Sequence, residues 1–297
     1  MMVSVHLAAC QYHFEALPDW ATYEAHWCAL IEQAVSQGAQ LLLLPEYAAM
    51  GLTALLAEDE CADLQASILG LQRFLPQWLA LNEALARRWQ IYLCPGSAPV
   101  LDEDGCYRNR SWLFGPEGCL GSQDKLIMTR FEREQWYIQH GEGLQVFATE
   151  LGKLGILICY DNEFPLLARQ LAEAGVELIL APSCTDTEAG YHRVRIGAQA
   201  RALENQIAVL QAPTVGKAAW SPAVDDNIGR AALYGPPDYG LPADGVVAQS
   251  ASLCPEQSQW LLVNWQPERW QRVRQQGQVL TRRDWPEQLL PGRLRLK

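Results

Sequence analysis

The chain has 297 residues, 49% of them hydrophobic, enough for a sizeable core in one large domain or two ordinary ones. Its formal net charge of −11 argues against nucleic acid or an anionic membrane as a partner, and no apolar stretch reaches the roughly 20 residues that span a bilayer. Nine cysteines without a CxxC pair fit neither a disulfide framework nor a zinc site, and residues 1–6 lack the features of a signal peptide, so a reducing cytoplasm is the expected compartment.

Strand-like and helix-like segments alternate along the chain. Residues 3–9 (VSVHLAA) are suited to a first buried strand. Residues 23–36 have helical periodicity, with Trp27, Leu30, Ile31 and Ala34 on one face, and Gly38 caps that helix before the strand 41–44. Residues 64–89 read as a helix broken at Pro76, and 91–96 return to strand. Residues 111–115 and 118–123 form a hairpin through Gly115-Pro116-Glu117-Gly118. A second hairpin, 146–149 with 154–159, turns at Gly152-Lys153. Then come a helix 165–174, a strand 178–181, a long helix 191–205 and a strand 207–211. Residues 214–242, rich in Gly, Pro, Ala and Asp, read as long surface loops near a site. Residues 246–249 and 260–264 are late strands, and the Arg- and Gln-rich tail from Pro267 reads as a solvated helix or a partner-seeking arm. No repeat or low-complexity linker divides the chain, and this mix suits two stacked sheets covered by helices in one domain.

Three strand ends carry chemistry. The apolar run Gly155-Ile156-Leu157-Ile158 stops at Cys159, and Tyr160-Asp161-Asn162-Glu163 is too polar to continue a core strand. A cysteine after a strand is more often packing than reactive. A sharp strand-to-helix turn, however, exposes the side chain and aims backbone N–H groups at one spot, as an oxyanion hole requires. Glu46 follows four leucines and Pro45. It is either an exposed loop carboxylate or, at the buried end of a strand, a carboxyl with a raised pKa suited to general acid–base work. Lys125 is either solvated or a fixed ammonium that steadies a thiolate and a developing oxyanion. A Cys–His pair is the rival design. His6 sits in an apolar strand, whereas His140 and His192 occupy loop or helix-start positions that leave the rival open.

LLLLPEY around Glu46, DKLIMTRFERE around Lys125 and GILICYDNEFP around Cys159 resemble, in that order, the three motifs of the nitrilase, or carbon–nitrogen hydrolase, superfamily. Ala181-Pro182-Ser183 and Arg201-Ala202-Leu203-Glu204-Asn205 resemble later family segments, and the likeness spans roughly residues 3–265. The resemblance implies an α/β fold, a four-layer αββα sandwich forming one domain over residues 1–297 with 266–297 as a tail, paired with a second copy in a homodimer. It implies Cys159 as nucleophile, Glu46 as general base, Lys125 as stabiliser of the tetrahedral intermediate, and neither metal nor organic cofactor. Many members carry a further glutamate near the lysine. Glu132-Arg133 resembles the common pair, but Glu134, seven residues before Gly141, matches in spacing and is slightly preferred.

Tyr160 and Asp161 stand where nitrilases usually have Trp and Glu, which resembles the amidase and N-carbamoyl-amine amidohydrolase branches. Ile127 replaces a frequent histidine, and the usual late Gly-x-Ser segment is absent around Gly229–Pro237. The expected reaction is hydrolysis of a linear amide or N-carbamoyl compound through a thioester, with a nitrilase or a non-catalytic subunit of the same fold as alternatives. Tyr47, Tyr160, Asn162, Glu163 and Ser183 are expected to border the substrate, with Asp225, Asp226 and Asn227 in a loop that could close over it.

Overall fold

A computed structural model describes residues 4–289. The readings that rest on residues 1–3 and 290–297, namely the absence of a leader, the start of the first strand at Val3 and the end of the tail, lie outside the described residues.

The first strand, Val5–His13, organises the molecule. It pairs parallel with Leu41–Leu43, which pairs parallel with Tyr92–Cys94, and on its other edge antiparallel with Gln259–Trp265. The same sheet continues antiparallel through Tyr107–Gly115 to Ser97–Leu101 and Gly118–Asp124. At its carboxyl end the first strand switches partners: Tyr12 and His13 pair with Thr214 and Val215 of Ala208–Lys217. That strand belongs to a second sheet, whose further members are Leu178–Ser183, Gly152–Ile156 and Val146–Thr149 on one side and Ala232–Tyr234 and Val246–Gln249 on the other.

Strand alternation sorts the side chains into layers. Val5, Leu7 and Ala9 face the second sheet and pack with Ile156, Leu178, Leu180 and Leu210. Ala8, Cys10 and Tyr12 face the opposite way, onto Trp27 and Ile31 of helix Trp20–Val35 and Trp78 of helix Leu75–Trp89. Beyond the second sheet, helices Pro165–Glu173 and Glu188–Asn205 bury Ala168, Leu171, Ala198 and Ala202 against Leu157, Ile179 and Val209. The order is helices, sheet, sheet, helices, an αββα sandwich. Because the central strands of both sheets run parallel, their carboxyl ends open on one side, where α/β folds gather reactive groups.

Three segments depart from the sequence reading. Residues 64–89 form two helices, Leu64–Leu71 and Leu75–Trp89. Pro76 lies in the first turn of the second, where its missing N–H leaves no helical bond unmade. Within residues 214–242, Thr214 to Lys217 complete a buried strand and Ala232–Tyr234 forms another, because pairing with the sheet overrides loop-like composition. Among the described residues the tail is neither wholly solvated nor free: helix Pro267–Gln276 buries Trp270 against Trp265, and Arg274 pairs with Glu177. No helix among the described residues is long and apolar enough to cross a membrane.

Candidate active site

Strand Leu41–Leu43 delivers Glu46 to the interior, where it is 1% exposed. Tyr47 then adopts a left-handed backbone (φ 59°), turning the chain back at the carboxylate. Gly96 makes that turn possible: a Cβ there would sit 1.9 Å from the Pro45 carbonyl oxygen. Glu46 Oε1 accepts from Lys125 Nζ (2.7 Å) and Asn109 Nδ2 (2.9 Å), and Oε2 accepts from the backbone N–H of Cys184 (2.9 Å).

Lys125 follows strand Gly118–Asp124 and is equally buried. Besides Glu46, its Nζ donates to both oxygens of Glu132, at 2.8 and 2.7 Å. Glu132 is turned inward by a capping box: Thr129 caps helix Arg130–Glu134, and Glu132 Oε2 accepts from the Thr129 N–H and hydroxyl. Tyr47 Oη and Asn109 Nδ2 also donate to Glu132. Two buried carboxylates therefore share one ammonium, and their pKa values move in opposite directions. Burial raises both, but Lys125 together with the Tyr47 and Thr129 donors holds Glu132 below the usual carboxylate range. Glu46 stays above it, because burial and repulsion from Glu132 together outweigh Lys125. Burial opposes the Lys125 charge, yet Glu132 and Glu46 keep it firmly protonated. Lys125 is ion-paired with both glutamates, and of the two Glu46 is the one whose pKa is raised, which suits it to exchange a proton.

Cys159 opens a one-turn helix, Cys159–Glu163, past strand Gly152–Ile156, and its backbone is left-handed (φ 47°), a strained geometry for a residue with a Cβ. Its Sγ lies 3.6 Å from the Cys184 carbonyl oxygen. Burial pushes the thiol well above its ordinary pKa, Glu46 adds to this, and Lys125 opposes it. Asp161, 1% exposed, accepts N–H bonds from Leu126, Ile127 and Ile158; burial pushes its carboxyl up to about 7 against the pull of Lys125 and those donors.

Glu46, Lys125, Glu132 and Cys159 meet at the floor of a cavity of about 560 Å³, a size that suits a small molecule. Tyr47, Tyr160 and Glu163 line it, as do Asp225 and Asp226. Glu134 does not reach the lysine: it pairs with Arg130 on the exposed side of its helix, so the glutamate at Lys125 is Glu132. Asn162 and Ser183 do not line the cavity. The coiled turn points Asn162 inward, where its Nδ2 donates to the carbonyls of Leu157 and Cys159, and Ser183 Oγ donates to Ala181. Asn227 likewise folds onto Gly216 and Val224. None of the five histidines lines the cavity. Among the described residues no group of three His, Cys, Asp or Glu is placed to hold a metal ion.

Sequence reasoning missed Asn109, which bridges both glutamates, and Cys184, which lines the cavity and gives its backbone N–H to Glu46. Neither leaves a local signal, since both act across long sequence separations. The Thr129-x-x-Glu132 capping box, by contrast, was a readable sign that Glu132 turns back toward its helix start.

A family model described as carbon-nitrogen hydrolase matches residues 6–241. Probable hydrolase YhcX of Bacillus subtilis is 31% identical over 249 residues, 83% of this chain and 47% of YhcX, so the chain spans about half of that relative. The deaminated glutathione amidase of Yersinia enterocolitica is 31% identical over 203 residues, 64% of this chain and 68% of that protein. The structure of a carbon-nitrogen hydrolase from Helicobacter pylori G27 matches with a TM-score of 0.73 and 20% identity, across 95% of this chain and 93% of that one, a likeness of fold. The chain belongs to the carbon-nitrogen hydrolase family.

Proposed function

We propose that this protein hydrolyses a non-peptide C–N bond in a linear amide or N-carbamoyl compound through a thioester on Cys159. The division of charge at the cavity floor carries the reading: Glu132 neutralises Lys125, which leaves Glu46, with its raised pKa, to move the proton of the Cys159 thiol. An amidase among the relatives supports an amide as substrate.

In this reading Glu46 accepts the thiol proton as the sulfur attacks the carbonyl carbon. The oxygen becomes an alkoxide, held by the Lys125 ammonium and the Tyr160 backbone N–H. Collapse of that intermediate breaks the C–N bond, and Glu46 gives its proton to the leaving ammonia or amine. Water then attacks the thioester while Glu46 takes one of its protons; collapse of the second intermediate breaks the C–S bond to release the acid, and Glu46 returns the proton to the Cys159 sulfur. A positioned base and a fixed oxyanion donor each supply about 10²–10⁴-fold. The family's pairing of two copies into a homodimer belongs to the same reading, and sedimentation would test it.

The test is ammonia release from linear amides, N-carbamoyl amines, N-carbamoyl amino acids and nitriles, with Cys159→Ala and Glu46→Gln alongside. Release from an amide or carbamoyl compound by the wild type alone supports the proposal. Acid and ammonia from nitriles alone would make the protein a nitrilase. Silence across the panel from a folded wild type would favour a non-catalytic role.

A further inference from the structure

Two loops must stay in register for the proposed chemistry, one carrying Lys125 and the other Cys159. They come from different sheets, since Gly118–Asp124 lies in the first and Gly152–Ile156 in the second. Lys125 itself is anchored to the first sheet, its N–H on the Asn109 carbonyl (2.8 Å) and its carbonyl accepting from Gly141 N–H (2.9 Å). The bond across to the cysteine turn runs through one side chain. Asp161 Oδ1 accepts from the N–H groups of Leu126 (3.2 Å) and Ile127 (2.9 Å), the two residues after Lys125. Its Oδ2 accepts from the N–H of Ile158 (3.3 Å), the residue before Cys159.

We propose that Asp161 is a positioning residue: its buried carboxylate clamps the backbone after Lys125 to the backbone before Cys159, and so sets the separation of ammonium and thiol. The inference rests on the roles proposed for Lys125 and Cys159. A short side chain suits the task, because its two oxygens carry enough lone pairs to accept from three donors at once. The clamp is shielded from solvent, as Asp161 is 1% exposed. Lys125 is the charged group that acts on it, through attraction across the same gap.

Asp161→Asn tests the clamp, because the amide is nearly the same shape but turns an NH₂ toward one set of N–H donors. The readout is the pH dependence of Cys159 alkylation by iodoacetamide, followed on the Cys159 peptide so that the other eight cysteines do not interfere. Loss of a negative charge alone would ease thiolate formation and move the midpoint to lower pH. Loss of the clamp lets Lys125 and Cys159 separate and moves the midpoint to higher pH, by about one unit, or tenfold less thiolate near neutrality. On an accepted amide substrate, kcat should fall about 10²-fold with KM nearly unchanged. A midpoint unchanged or lowered in the folded variant would overturn the proposal. If Asp161→Asn does not fold, amide hydrogen exchange in the wild type decides: protection of Leu126, Ile127 and Ile158 comparable to the neighbouring strands supports the clamp, and loop-like exchange there overturns it. Should the wild type release no ammonia from any substrate while the alkylation midpoint rises in the variant, the clamp stands and the hydrolase reading falls.

Discussion

Replacing Glu132 with glutamine would remove one charge from a buried set of three. Lys125 Nζ loses a partner that now supplies two oxygens, at 2.8 and 2.7 Å, and keeps only Glu46 as a counter-charge. Taking one partner from a buried ion pair costs about 3–5 kcal/mol. Glutamine retains one acceptor oxygen and Glu46 remains in place, so the loss should sit near the lower end, about 3 kcal/mol, read as a lower urea midpoint at unchanged m-value. The effect on activity runs through Glu46. Without Glu132 to repel it, Glu46 becomes the sole ion-pair partner of Lys125 and its pKa falls, so it accepts the thiol proton less readily. General acid–base catalysis contributes about 10²–10⁴-fold, so kcat should fall about 10²-fold or more while Cys159 remains intact. Glu134→Gln is the control, because the Arg130–Glu134 pair is exposed at 88% and 52% and should leave both stability and turnover unchanged. A Glu132→Gln protein with wild-type urea midpoint and wild-type kcat would refute this account of the site.

Cys159→Ala should abolish turnover while the thermal transition stays within a few degrees of wild type, and retained activity would remove the cysteine from the mechanism. The acidic limb of kcat/KM should lie above pH 4.5, the ordinary value for a glutamate, because Glu46 must be ionised to act and its pKa is raised. In Glu132→Gln that limb should move to lower pH, and a limb that stays fixed would point to another base. The sign for stability is the reverse: a carboxyl that binds its proton more tightly in the folded state stabilises most below its unfolded value, and that contribution is lost as pH rises through the folded one. Gly197→Ala should destabilise by about 1–3 kcal/mol through overpacking. Its Cβ would stand 2.7 Å from the Asn162 carbonyl, at the helix that supports the cysteine turn. A denaturation midpoint equal to wild type would show that the turn yields without cost.

Much of this protein is set locally, and the amino-acid sequence alone determined it. Apolar runs that end in Glu46 and Cys159 mark buried strands opening on one side of the sheets, since such runs can satisfy their backbone only by pairing. The order of the three reactive residues and the alternation of strands and helices followed directly. The tertiary structure alone decided which groups touch. Glu132 and Glu134 are two residues apart and equally charged, yet only one lies on the helix face turned to Lys125, and the capping box at Thr129 selects it. Asn162 and Ser183 follow strand ends as Cys159 does, but the coiling of the turn and the alternation of the strand aim them into the scaffold. Asn109, Asp161 and Cys184 reach the site by crossing from one strand end or sheet to another, and hydrogen bonds at such separations leave no periodicity to read. Which carboxyl holds its proton more tightly was likewise beyond the sequence, because it depends on burial and on one shared ammonium, and both exist only once the chain has folded.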